Sequence, residues 1–295
     1  MLKRTLFFSQ PYNLSLRNNQ MIITTREMPD MHRSIPIEDI GFVVLEHQQT
    51  NITLPLLNAL SDNNVAVIFC GNDYMPNAML MNLDSNTTQA EVYRNQIDAS
   101  EPLKKNLWKQ IIEYKIRNQA NLLNKLGKDG DALKPLYSNV KSGDVDNREG
   151  VAAKLYWREL FGDEFVRSRE GESPNNMLNY GYTLLRAATA RSLMGSGVYP
   201  AFGIFHRNRY NAFPLADDIM EPYRPYVDEA VFVLYANGER ELTKGVKADL
   251  LRLLFVDTTF EKVTRPLDVG LTMTTASLAK CFAGVQKKIV YPLLV

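Results

Sequence analysis

Hydrophobic residues recur along this chain with two different periods, and the change falls near residue 83. Before it, apolar positions come in short runs rich in valine, isoleucine and leucine, which predict strands over 2–8, 13–17, 20–25, 40–46 and 65–70. Asn18-Asn19, between two of these runs, tolerates positive φ and suits a tight hairpin turn. A small helix is expected over 54–62, ended by Asn63-Asn64. The polar, turn-forming stretch from Asp84 to Thr88 reads as a connection, so a linker is placed over 84–90.

Beyond the linker the period is helical. Leu103, Leu107, Ile111, Tyr114 and Asn118, then Asn121 or Leu122 and Lys125 or Leu126, trace a mostly apolar stripe, closed by Gly127. A second helix is predicted over 146–161, where Val151, Leu155 and Leu160 are apolar and Gly162 follows. A third, over 177–194, stops at Gly195-Ser196-Gly197, and further helices are expected over 249–255 and 275–289. The fold class is therefore α+β with segregated halves: a β-rich domain over 1–83 and a larger all-α domain over 91–295.

Composition sets limits on function. Of 295 residues 45% are hydrophobic and 23% charged, proportions of a globular chain rather than a disordered one. The net charge is +1, so any contact with nucleic acid must come from local asymmetry. Such asymmetry exists. Between 103 and 128, Lys104, Lys105, Lys109, Lys115, Arg117, Lys125 and Lys128 face one acid, Glu113, although each lysine taken singly reads as part of a solvated helix face. Cys70 and Cys281 are far apart and form no metal-type spacing, as expected of reduced thiols. No stretch has the length and hydropathy of a membrane span and no secretory pattern opens the chain, so a cytoplasmic protein without membrane contact is expected.

Two segments carry chemistry. The run from His206 to Pro225 holds an imidazole, the acids Asp217, Asp218 and Glu221, and the guanidiniums of Arg207, Arg209 and Arg224. Pro214 can open a helix at its first turn, which puts Asp218 and Glu221 three apart and Asp217 and Glu221 four apart on one surface. Like charges so placed repel unless a cation lies between them; equally, acids in a first turn are favoured by the helix dipole alone. The second segment, from Asp146 to Trp157, opens a helix with Asn147, Arg148 and Glu149 followed by small residues. There Glu149 is either a capping acid or a metal ligand, and spacing does not choose between them.

Taken together, N-R-E-G-x-A-A-K-x-Y-W at 147–157 and H-R-N-R-Y-N-x-F-x-L-A-D-D-x-M-E-P-Y-R-P at 206–225 resemble the CRISPR-associated integrase family, the catalytic subunits of spacer acquisition, in its type II branch. The resemblance spans the whole chain. It implies an N-terminal dimerisation domain and a C-terminal catalytic domain, with Glu149, His206 and Glu221 as metal ligands and catalytic residues and Asp218 and Asp217 behind them. The wider family often carries aspartate at the last ligand position, and Glu221 is one methylene longer.

Two carboxylates and one imidazole suit a hard octahedral ion, Mg²⁺ or Mn²⁺, better than Zn²⁺. The reaction the resemblance implies is transesterification, in which the 3′-hydroxyl of a short DNA fragment attacks a phosphodiester at the edge of a CRISPR repeat. The absence of a G-x-x-x-x-G-K-[ST] element agrees with a reaction that needs no nucleotide energy source. The implied partners are double-stranded DNA, a second copy of the chain, a small dimeric partner subunit and other type II CRISPR proteins. Arg186, Arg191, Arg207, Arg209 and Arg224 are candidate phosphate contacts, each weighed equally against a structural ion pair. Tyr180, Tyr182 and Tyr210 are read as core before they are read as base-stacking platforms. A DNA-binding scaffold without catalysis and a phosphoesterase acting on small molecules remain the alternatives.

Overall fold

The computed structural model describes residues 3–25, 31–82 and 86–295, and the chain divides into two compact units, Met1–Ser85 and Asn86–Val295. In the first, β1 (Arg4–Phe8), β5 (Ile40–Leu45), β7 (Ala66–Cys70) and β8 (Pro76–Leu80) form one sheet in that order. Within it β1, β5 and β7 run parallel, and β8 is antiparallel to β7. A second sheet has the order β4 (His32–Pro36), β3 (Gln20–Thr25), β2 (Tyr12–Arg17) and β6 (Asn51–Ile52). Asn18 and Asn19 both adopt positive φ, 49° and 57°, so the hairpin between β2 and β3 turns with the twist its strands require.

Helix α1 (Leu54–Asp62) buries Leu56 and Leu60 against Phe8, Leu14, Met21, Val43 and Val67, which together make the core of this unit. All six residues of β5 are buried, and that is why 40–46 shows no alternation: a strand covered on both faces has no polar side to declare. Strands β4, β6 and β8 are additions to the sequence expectation. Their burial is shallow, so their hydrophobic signal is weak. Leu2, at the start of the first expected strand, and Asp84 and Ser85, in the expected linker, lie outside the described residues. A helix begins at Gln89, within the stretch expected as linker.

The second unit is built on α2 (Gln89–Ile97), α3 (Glu101–Lys125), α4 (Lys134–Tyr137), α5 (Arg148–Phe161), α6 (Asn175–Gly195), α7 (Pro214–Met220), α8 (Arg224–Ala236), α9 (Lys244–Leu251) and α10 (Leu267–Phe282). It is not purely helical, because a hairpin of β9 (Asp257–Thr259) and β10 (Thr264–Pro266) precedes α10. Helix α3 is the central post. Ser100 caps its first turn by accepting from the Leu103 N–H, and it packs against α4, α5, α8 and the turn at Glu221–Tyr223. Buried Asn118 locks it to that turn, donating to the Pro222 and Pro292 carbonyls at 2.7 and 3.2 Å and accepting from the Leu294 N–H at 3.1 Å.

Helix α10 replaces the helix expected over 275–289. It starts after Pro266, and the threonine-rich run from Thr272 to Thr275, which has poor helix propensity, hides its first half. Thr274 is nonetheless buried there, sharing a 2.6 Å hydrogen bond with the Tyr223 hydroxyl. Similarly, α9 begins at Lys244, and only its end overlaps the expected helix over 249–255, whose last residues continue as a 3-10 turn.

Candidate active site

Glu149 owes its place to the start of α5. Asn147 takes a left-handed conformation and its side chain accepts from the Gly150 N–H, while the Asp144 carboxylate accepts from the Arg148 and Glu149 N–H groups at 2.8 and 3.1 Å. With the free N–H groups served by Asp144 and Asn147, Glu149 is not needed as a cap. Its side chain instead reaches α3, where it accepts from the Lys115 ammonium.

Glu221 sits at the junction of α7 and α8 and is almost fully buried. One carboxylate oxygen meets Arg224 at 3.0 Å; the other faces Lys115 at 2.6 Å. A single ammonium therefore joins two carboxylates that are 72 positions apart in sequence. Burial favours the neutral acid at Glu221, but Arg224 and Lys115 outweigh it and hold the carboxyl below its ordinary range. Burial likewise disfavours the charge on Lys115, and Glu221 and Glu149 together raise it above normal.

The three acids of α7 and its end do not share one cation. Asp217 pairs with Arg186 at 2.9 Å and accepts from Asn211 at 2.7 Å. Asp218 is fully buried and turns the other way, accepting from the N–H groups of Ile204, Phe205 and His206 at 2.6, 3.0 and 3.2 Å. Its carboxylate also lies 2.6 Å from Nδ1 of His206. That bond, against the opposing effect of burial, raises the imidazole above its ordinary pKa, and the fields of Glu221 and Asp217 add to the rise. With Nδ1 occupied, Nε2 is the nitrogen left for a ligand or a proton transfer. Trp108 packs edge-on to the ring.

Among the described residues no group of three or more His, Cys, Asp or Glu is gathered tightly enough to form a ready metal cage. Glu149 and Glu221 converge on one point of positive charge, and His206 stands in the field of Glu221. The Glu221 oxygen facing Lys115 is buried and has no aligned hydrogen-bond donor. This donor set fits a divalent ion on condition that the ammonium yields its position.

Two cavities meet at His206. One, of about 610 Å³, is lined by Arg167, Arg169, Arg186 and Arg224 together with Tyr182, Asn179 and Asp217. The other, of about 510 Å³, is bounded by Gln96, Lys104, Phe202, Arg207 and Arg209. Of the five arginines singled out from sequence, Arg191 faces neither: it is largely buried against Asp268 on α10. Arg207 pairs with Glu101 at 3.0 Å, and Arg209 lies over the Tyr210 ring. Tyr180 and Tyr182 are core, whereas Tyr210 is exposed.

Sequence reading missed Lys115, Arg167 and Arg169. Lys115 did leave a signal, for it lies four residues after Ile111 and three before Asn118, inside the apolar stripe of α3, where a buried cation requires partners. Behind the arginine cavity, buried Asp228 accepts from the Tyr156 hydroxyl at 2.7 Å and from Tyr182, and Arg224 lies 4.7 Å over the Tyr182 ring.

The family model for CRISPR associated protein Cas1 matches residues 6–265. The chain belongs to the Cas1 family. The CRISPR-associated endonuclease Cas1 of Neisseria meningitidis serogroup C is 39% identical over 263 residues, covering 88% of this chain and 85% of the relative. In fold, the chain is similar to a casposase bound to integration product, with a TM-score of 0.79 at 20% identity over 98% of this chain and 92% of that one. It also superposes on a Cas6-RT-Cas1–Cas2 complex, with a TM-score of 0.73 at 20% identity over 99% of this chain and 36% of the longer one. Among the described residues no helix is long and apolar enough to cross a membrane.

Proposed function

We propose that this Cas1-family chain is a metal-dependent DNA integrase and endonuclease of CRISPR adaptation, joining 3′-hydroxyl ends of short DNA fragments to phosphodiesters at repeat boundaries. The observation that carries the reading is the convergence of Glu149 and Glu221, from separate elements, on one cation position beside an arginine-lined cavity that ends at His206. Glu149, Glu221 and Nε2 of His206 would hold Mg²⁺ or Mn²⁺. When bound, such an ion polarises a phosphoryl oxygen and lowers the pKa of an attacking hydroxyl.

The chain's own groups do the rest. Asp218 fixes the tautomer and direction of His206. Arg224 keeps Glu221 ionised in its buried seat, and Arg167, Arg169 and Arg186 give the cavity the positive lining that a phosphate backbone requires. Exposed Phe202, with Arg207 and Arg209 near it, offers a stacking surface and cations for a second strand at the other cavity, while exposed Tyr210 offers a stacking surface in the arginine-lined one. Two nucleic-acid segments must meet for a strand to be joined, and two cavities that share His206 suit that task.

The similarity to an integration-product complex and to a complex containing Cas2 supports DNA and a small Cas2-type subunit as partners. The β-rich unit, with its two four-stranded sheets, is assigned to dimerisation. Strand transfer of a labelled duplex into a supercoiled repeat-bearing plasmid tests the reading. Glu149→Gln, His206→Ala and Glu221→Gln should each abolish joining while DNA binding persists. A scaffold would bind and never join in any form, and a small-molecule phosphoesterase would do neither.

A further inference from the structure

The Lys115 side chain is almost buried, rises from the middle of α3, and touches both Glu149 and Glu221. The proposed chemistry does not use it. It stands at the point where two carboxylates from different elements meet. We propose that Lys115 is a built-in counter-ion that closes the Glu149–Glu221 pair and competes directly with the divalent ion, thereby setting the metal concentration at which the site is filled. The inference rests on the metal-dependent reading given above.

Three observations support it. First, the charges balance without a metal: two carboxylates face two cations, Lys115 and Arg224, so a divalent ion entering beside both would meet strong repulsion. Secondly, the two cations are held differently. Arg224 follows Glu221 by three residues and engages the oxygen remote from Lys115, so it can stay when the metal binds. Lys115 comes from another helix and lies 2.6 Å from the second oxygen, on the side of Glu221 that faces Glu149. Thirdly, the ammonium is carried on a flexible four-carbon stem, and its partner Glu149 is partly exposed, which leaves a way out towards solvent. Removing the ammonium frees the same oxygens that a metal needs.

The test is Mn²⁺ binding to the full chain, read from the electron paramagnetic resonance signal of free Mn²⁺, for the parent, Lys115→Met and Lys115→Gln. Loss of a competing unit charge at ion-pair distance should tighten Mn²⁺ binding by about tenfold or more in Lys115→Met, and by a smaller factor in Lys115→Gln, which retains a neutral donor. Without metal, Lys115→Met should unfold at a lower temperature than the parent, because two carboxylates are left facing one another; saturating Mn²⁺ should raise its unfolding temperature by more than it raises the parent's. Should Lys115→Met fail to fold, Lys115→Gln alone decides by the same criterion. If the parent binds Mn²⁺ and the variants bind it equally or more weakly, Lys115 is a positioning residue and the inference is overturned while the metal site stands. If neither parent nor variants bind Mn²⁺, the metal-dependent reading and the inference fall together.

Discussion

Removing Asp218 should be costly, and the cost can be worked out bond by bond. It lies fully buried and accepts from three backbone N–H groups and from His206. In Asp218→Ala the three N–H groups lose their acceptor; at about 1–3 kcal/mol for each buried donor left unsatisfied, and allowing for partial rescue by water, the loss is about 3–5 kcal/mol. That is a large share of the roughly 5–15 kcal/mol by which domains are stable. Asp218→Asn keeps one acceptor oxygen for the Ile204–His206 segment and loses charge rather than shape, so its cost should be smaller, about 1–3 kcal/mol.

The two variants then separate structure from positioning. In Asp218→Asn the imidazole loses the bond that raises its pKa, so the His206 ring signal, followed by NMR and assigned by its loss in His206→Ala, should titrate at lower pH than in the parent. A raised histidine pKa adds stability that is complete below the unfolded value of about 6.5 and disappears as pH rises through the folded value. The stability gap between parent and Asp218→Asn should therefore be widest below that pH and narrow above it. Strand joining should fall by about 10- to 100-fold, the range usual for partners that orient a ligand histidine. Equal urea midpoints for Asp218→Ala and parent, or an unmoved His206 titration in Asp218→Asn, would refute the reasoning.

Other consequences can be checked alongside. Burial pushes the Asp228 carboxyl up to about 6, against an ordinary value of about 3.9, so the folded chain holds a proton there that the unfolded chain has released. Stability should fall as pH rises from about 4 to 6, by about 3 kcal/mol in all, and Asp228→Asn should remove that slope; parallel curves would dismiss it. Arg169→Ala should lower the salt dependence of DNA binding by about one unit of log–log slope, while Arg191→Ala should reduce unfolding temperature and leave the slope alone. In Gly203→Ala the new Cβ would stand 2.4 Å from the His206 carbonyl oxygen, so a cost of about 1–3 kcal/mol and slower joining are expected in chemical denaturation and strand transfer.

How much of this was legible in the sequence depends on which physical signal each residue leaves. The two periods separated a strand-rich half from a helical one, and the Asn18-Asn19 turn and the Pro214 helix start follow from backbone chemistry that a few residues declare. What was hidden lacked such a declaration. Strand β8 and helix α2 are short and almost wholly half-buried or exposed, so neither shows a clean apolar face. Threonines mask α10 because their buried hydroxyls are satisfied by tertiary partners that no local pattern reveals. At the site, spacing placed Asp217, Asp218 and Glu221 on one stretch of chain but could not show that they serve three different partners: an arginine, a backbone turn with its histidine, and a lysine from a distant helix. The place of Lys115 beside the apolar stripe of α3 hinted that it is buried, but not with which acids it pairs, since its partners lie 34 and 106 positions away in sequence.

The central claim is that Glu149 and Glu221 form one cation site, and direct Mn²⁺ titration of the parent, Glu149→Gln and Glu221→Gln tests it most simply. The account predicts saturable binding by the parent and a loss of at least about tenfold in affinity in each variant, with the double variant little worse than either single one because the oxygens act as a pair. Three proteins that bind Mn²⁺ alike would contradict it.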